Sequence, residues 1–101
     1  MRLPVVVLPE AKAESTEAAQ WYESARTGQG DAFLDALDAA LLQISEHPER
    51  YPSWGKGRPF RRMLLPRFPY LIFYTVRDTC VEVHAVAHTS RRPGYWLNRH
   101  P

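Results

Sequence analysis

The chain has 101 residues, 45% of them hydrophobic and 24% charged, with a single cysteine and a formal net charge of +2. That length suits one domain and not two, the composition excludes a largely disordered chain, and Cys80 alone excludes an internal disulfide framework. No secretory leader is recognisable and the longest apolar run, Tyr70 to Val76, falls far short of a bilayer span, so a soluble cytoplasmic protein with no membrane partner is expected.

The small net charge conceals a division along the chain. Residues 1–50 hold four Lys/Arg against nine Asp/Glu, and residues 51–101 hold nine against two. A basic half predicts an anionic partner if its charges share one surface, and an ordinary solvated surface if they do not.

Leu3 to Leu8 (LPVVVL) is rich in valine, whose branched Cβ favours the extended pleat, and reads as a strand. Pro4 lacks an amide donor and belongs at its start or on a sheet edge. Pro9 then pre-sets a helical φ, and Glu10 and Glu14 lie near the positive end of the helix dipole. The helix is predicted over residues 10–27, with Ala18, Trp21, Tyr22 and Ala25 along its core side. Gly28 and Gly30 favour a left-handed cap and a tight reversal, after which Asp31 is placed to cap a second helix over residues 31–47. Phe33, Leu37, Ala40, Leu41 and Ile44 form its apolar stripe, and the short link makes the two helices an antiparallel hairpin. Pro48 ends the second helix.

Residues 48–59, with three prolines and two glycines, read as a loop. Three strands are predicted after it: 60–65 (FRRMLL), 70–76 (YLIFYTV) and 80–88 (CVEVHAVAH), joined by connections short enough for an antiparallel meander. Strict alternation in the last strand points Val81, Val83, Ala85 and Ala87 at the helices, and Cys80, Glu82, His84, Val86 and His88 the other way. The fold class is therefore α+β: an N-terminal strand, an antiparallel two-helix hairpin, and a three-stranded antiparallel meander. The hairpin covers one face of the sheet and leaves the other partly free.

The four histidines are His47, His84, His88 and His100. Cys80, His84 and His88 are four apart, which in a strand separates neighbours by roughly 13 Å, too far to share an ion. No metal and no cofactor is expected. Gly55-Lys56-Gly57 lacks the phosphate-loop pattern, and Ser90 with His88 and Glu82 lacks the context of a nucleophile elbow.

What remains is a distributed basic set: Arg58, Arg61, Arg62 and Arg67 around the first meander strand, and His84, His88, Arg91 and Arg92 towards the end of the last. Arginine matches phosphate with a planar fork, and RNA cleavage would also need a base and an acid, roles open to His88, His84 or Glu82. Arg67 is the arginine best placed to approach His88, with Arg61 and Arg62 nearer Glu82. Tyr95 and Trp96 would stack an unpaired base. Each has a structural alternative: Arg61 and Arg62 as a solvated strand edge, His84 as a cross-strand partner, Trp96 packed against the sheet.

Several segments agree in order with a known family: Trp21-Tyr22, the hairpin around Gly28 to Leu34, HPERYP at 47–52, RFPYLIFYTV at 67–76, and AVAHTSRRPGYW at 85–96 with Arg99. Over nearly its whole length the chain resembles the RelE/ParE superfamily of bacterial type II toxins. The resemblance implies a small toxin neutralised by a cognate antitoxin encoded beside it, with a higher-order toxin-antitoxin oligomer as one form of the complex. ParE-like members inhibit DNA gyrase, whereas RelE-like members cut messenger RNA in the ribosome. The long helical hairpin and the lack of a lysine cluster, with only Lys56 in that region, resemble the ParE-like branch. In the RNA-cutting alternative, Arg61 or Arg62, His88 and Arg91 match some active positions, with His84 a further candidate. A degenerate member that only binds its antitoxin is the third reading. The expected binding set is Arg58, Arg61, Arg67, His88, Arg91, Arg92, Tyr95 and Trp96.

Overall fold

The computed structural model describes residues 2–99; His100, one of the four histidines, lies outside them. The elements run β1 (Val5–Val7), α1 (Pro9–Ala25), α2 (Gln29–Glu46), β2 (Ser53–Trp54), β3 (Phe60–Leu64), β4 (Tyr70–Val76) and β5 (Val81–His88), followed by one 3-10 turn at Tyr95–Asn98. The strands form one sheet in the order β1-β5-β4-β3-β2. The meander is present as β3-β4-β5, and two additions widen it. β1 joins β5 in parallel, with Val5 opposite Val81, and Ser53–Trp54, expected as loop, pairs antiparallel with Arg61 and Phe60. Two residues are too short a run for an alternation signal, so only the pairing reveals β2.

Both helices pack on one face of the sheet. The buried side of α1 is Ala11, Ser15, Ala18 and Ala19, with Tyr22 partly buried, rather than the stripe through Trp21 and Ala25. Trp21 points outward and is 62% exposed. On α2 the expected stripe is the observed one: Phe33, Leu37, Ala40 and Ile44 are buried, and Leu41 is partly so. Tyr22, Phe33, Phe68 and Tyr70 meet beneath the hairpin with centroids 5.0 to 6.2 Å apart.

The helical link is built differently from the expected Asp31 cap. Gly28 is the N-cap of α2 at φ +90°, a left-handed conformation that side chains disfavour. The carboxylate of Glu23 reaches back from α1 to accept the N–H groups of Gly28 and Gly30 at 3.0 Å. Gly30 answers a different need: a Cβ there would lie 2.7 Å from the Ala19 carbonyl oxygen, so its bareness lets the helices cross closely.

The β4–β5 ladder contains the main departure from the expected faces. Tyr74 pairs with Val83 and Phe73 with Ala85, which leaves His84 as an extra residue without a partner on β4. A bulge of this kind reverses the side-chain alternation beyond it. Val81, Val83 and Val86 therefore belong to the helix-side core, while Ala85 and Ala87 join a second cluster on the opposite face. That face is not left free at its centre. Trp96 from the 3-10 turn lies on Phe73 with centroids 3.9 Å apart, flanked by Trp54 and Phe60. Neither helix is long and apolar enough to cross a membrane.

Candidate functional site

The bulge decides which histidine faces what. His84, on the outer face, is held between the Phe60 ring, centroids 5.1 Å apart, and the Thr75 hydroxyl, 3.1 Å from Nε2. Burial lowers its pKa below the ordinary histidine value, against a smaller opposing pull from Glu82. Thr75 and Glu82 both approach the same ring nitrogen, at 3.1 and 3.9 Å, so the three side chains form no relay in which one ring nitrogen takes a proton and the other is oriented. Glu82 is in turn bound to Arg77, at 3.0 Å, and not to Arg61 or Arg62.

His88 lies past the bulge and turns to the helix side. It lines a cleft of about 640 Å³ between α1 and the end of the β4–β5 hairpin, together with Glu17, Trp21, Tyr22, Tyr70 and Arg91. Its Nδ1 accepts the Ser90 N–H at 3.1 Å, so in the neutral ring the proton sits on Nε2. The Ser90 hydroxyl lies 2.8 Å from the same Nδ1. The volume is in the range of ligand clefts, and the lining mixes aromatic and apolar side chains with charged ones.

The arginines are scattered in role. Arg61, on the helix side of β3, donates to the carbonyl oxygens of Glu49 and Tyr51 at 3.2 and 2.8 Å and thereby ties the 48–52 segment to the sheet. Arg62 points to the outer face and is exposed beside Leu64, Leu71 and Thr89. Arg58 is exposed on the β2–β3 connection. Arg67 sits in the β3–β4 turn at φ +68° and lines a groove against α2 with Asp35 and Met63, away from the His88 cleft. Arg91 lies over the Tyr95 ring at 3.9 Å, and Arg92 is exposed.

Tyr95 and Trp96 fold back on the protein. Trp96 is 2% exposed, so it has no face open to a base, and its packed position is the structural alternative named above. The Tyr95 hydroxyl donates to Glu14, and burial together with that bond raises its pKa far above the ordinary tyrosine value, which keeps it a donor.

Glu14 itself is the residue that sequence reasoning missed. Besides Tyr95, it accepts the Val86 backbone N–H at 3.0 Å and binds Arg99 through Oε2 at 2.8 Å and Oε1 at 3.2 Å. A signal existed: Glu14 is three residues after buried Ala11 and four before buried Ala18, a carboxylate inserted at the border of an apolar stripe.

The arrangement thus offers a partly apolar cleft on the helix side that gathers His88, Glu17 and Arg91, a clasped C-terminal turn and a basic outer rim, with His84 and Arg62 on the face opposite the cleft. A family model described as the ParE toxin of type II toxin-antitoxin systems, parDE, matches residues 5–93. Among solved structures, the chromosomal ParDE toxin-antitoxin system from P. aeruginosa is similar, with a TM-score of 0.65 at 12% identity, covering 86% of this chain and 96% of that one. At that identity the likeness speaks to the fold. No curated protein matches the sequence.

Proposed function

Because the chain belongs to the ParE toxin family of type II toxin-antitoxin systems, we propose that it acts by inhibiting DNA gyrase and is held inactive by a cognate antitoxin. The observation that carries this reading is the bulge at His84. Attack of a ribose 2'-hydroxyl on its phosphate needs a base and an acid within reach of one phosphodiester. His84 and His88 lie on opposite faces of the sheet, and Arg61 is engaged by two backbone carbonyls. Of the residues an RNA-cutting relative would use, His88 and Arg91 share the helix-side cleft, while His84 and Arg62 face the other way and Arg61 is occupied, so the set as a whole does not converge. Inhibition of a large enzyme by surface contact requires no such convergence.

An antitoxin segment has a natural seat on the helix side. The cleft beside Trp21 is apolar along Tyr22, Tyr70 and Val86 and carries both a carboxylate, Glu17, and a cation, Arg91, at its border. An amphipathic segment laid there would cover the exposed indole.

The test is a supercoiling assay with purified gyrase beside a ribosome-dependent cleavage assay on defined message. Inhibited supercoiling with intact message supports the proposal, and addition of the antitoxin should restore the gyrase. Cut message with unaffected supercoiling would replace it with the endonuclease reading. Growth unaffected by expression without antitoxin, with both assays silent, would indicate a member that only binds its partner.

A further inference from the structure

The two layers of the molecule carry opposite charge. α1 and α2 together hold eight of the eleven carboxylates in the chain and one of its thirteen Lys/Arg, Lys12. The sheet, its loops and the C-terminal segment hold nearly all the cations. The sequence asymmetry between halves has therefore become a spatial one, with a negative helical face and a positive sheet side.

On that side, Lys56 and Arg58 lie on the β2–β3 connection, Arg62 on the outer face of β3, and Arg92 on the segment that crosses from β5 to the 3-10 turn. All four are exposed, and none has a carboxylate within 4.0 Å among the described residues. Two contacts draw the segments that carry them together. Arg62 and Thr89 share a shallow hollow, and Trp54, which leads into the Lys56 loop, lies 3.3 Å from where a Cβ on Gly94 would be.

We propose that this rim binds the phosphate backbone of double-stranded DNA directly, without reading sequence. Charge complementarity selects a polyanion. The packing of the aromatics favours a duplex over an unpaired strand: Trp96 is buried, and Trp54 and Phe60, each partly buried, pack into the cluster around it rather than standing free as stacking platforms. Both helices are acidic and lie on the far side, so no helix enters a groove and base edges go unread. This goes beyond gyrase inhibition and concerns the chain alone.

The test uses the full-length chain without gyrase and measures fluorescence anisotropy on two 30-base-pair duplexes of unrelated sequence. Binding should be equal for the two duplexes and micromolar at low salt, with log K falling against log salt at a slope of about −3.6 for four phosphate contacts. Arg62→Glu with Arg92→Glu should weaken binding at least tenfold and flatten the slope, while Arg26→Glu, an exposed cation at the end of α1, should leave both nearly unchanged. Circular dichroism checks that each variant is folded. The proposal is overturned by no binding at 50 mM salt, by an equal effect of Arg26→Glu, or by tighter binding to single-stranded RNA of the same length. Failure in the supercoiling assay would remove the gyrase reading and leave this one standing.

Discussion

Glu14 of α1 and Arg99 of the C-terminal segment form a two-pronged ion pair that does the work of a missing strand. β1 ends at Val7, and its last ladder contact runs from the Leu8 N–H to the Val83 carbonyl. Beyond that point β5 has no neighbouring strand on that edge among the described residues. Glu14 takes the Val86 N–H at 3.0 Å, and Arg99 donates to the His84 carbonyl at 3.1 Å. The pair thus satisfies the backbone where the bulge and the end of β1 leave it bare.

Glu14→Ala should therefore unfold the C-terminal clasp as well as remove a charge. It strands the Arg99 guanidinium, the Tyr95 hydroxyl and a part-buried amide, and a loss of about 2–3 kcal/mol is expected. In a domain of this size that lowers Tm by roughly 10–20 °C. Glu14→Gln, which keeps one acceptor, should lose less. A thermal melt followed by near-ultraviolet circular dichroism, which reports Trp96, checks both; a change under 0.5 kcal/mol would show the clasp to be incidental.

The pH dependence of stability should carry a component from His84. Its folded pKa lies below the ordinary value near 6.5 because burial disfavours the imidazolium. The unfolded chain therefore binds more protons in the window below that value, and folding is weakened as pH falls from about 6.5 through the depressed folded pKa. Above 6.5 both states are neutral at this site and the component vanishes. His84→Gln retains a partner for Thr75 and removes the titration, so its stability should change less between pH 7 and 5 than that of the parent chain. Parallel curves in urea titrations at a series of pH values would refute the assignment.

Gly30→Ala reverses the usual rule for helices. Alanine in a helix interior normally stabilises relative to glycine by up to about 1 kcal/mol. Here its methyl would meet the Ala19 carbonyl oxygen at 2.7 Å and Glu23 side-chain atoms at 3.0 Å, and the carbonyl cannot move without shifting α1. A net loss of about 1–3 kcal/mol is expected from the forced separation. A denaturation midpoint equal to or above that of the parent would show that the hairpin has slack.

The legibility of this chain follows the range of each interaction. α2 was readable because Phe33, Leu37, Ala40 and Ile44 repeat a helical period against one continuous core. β4 was readable because the run from Tyr70 to Val76 is apolar on both faces and buried by both clusters. The faces of β5 were read correctly as far as Val83 and inverted from Ala85 onward, since a single extra residue leaves no mark on composition. The outward turn of Trp21 was hidden for the same kind of reason: Ala18 and Tyr22 satisfy the spacing without it, and an indole counts as core by residue type alone. The candidate site was legible as a set of residue types and not as a place. Which of His84, His88, Arg61 and Trp96 meet depends on a bulge, a backbone tether and a C-terminal turn, all of which arise from contacts distant in sequence.

Trp21 separates folding from partner binding more cleanly than any other position. At 62% exposure its ring contributes little to the core, its one aromatic neighbour being Tyr22 at 5.1 Å. Trp21→Ala should change stability by no more than about 0.5 kcal/mol, as surface substitutions do. If the antitoxin occupies the cleft between α1 and the β4–β5 hairpin, the same substitution removes a large apolar anchor and should weaken the complex by about 2 kcal/mol, close to thirtyfold. Titration calorimetry with the cognate antitoxin reads that loss directly. Tyr22→Ala is the contrast, because its ring sits 5.0 Å from Phe68 and 5.5 Å from Phe33 and its loss should lower stability first. An unchanged affinity for Trp21→Ala would place the antitoxin elsewhere, with the exposed edge of β1 around Val6 the next surface to test.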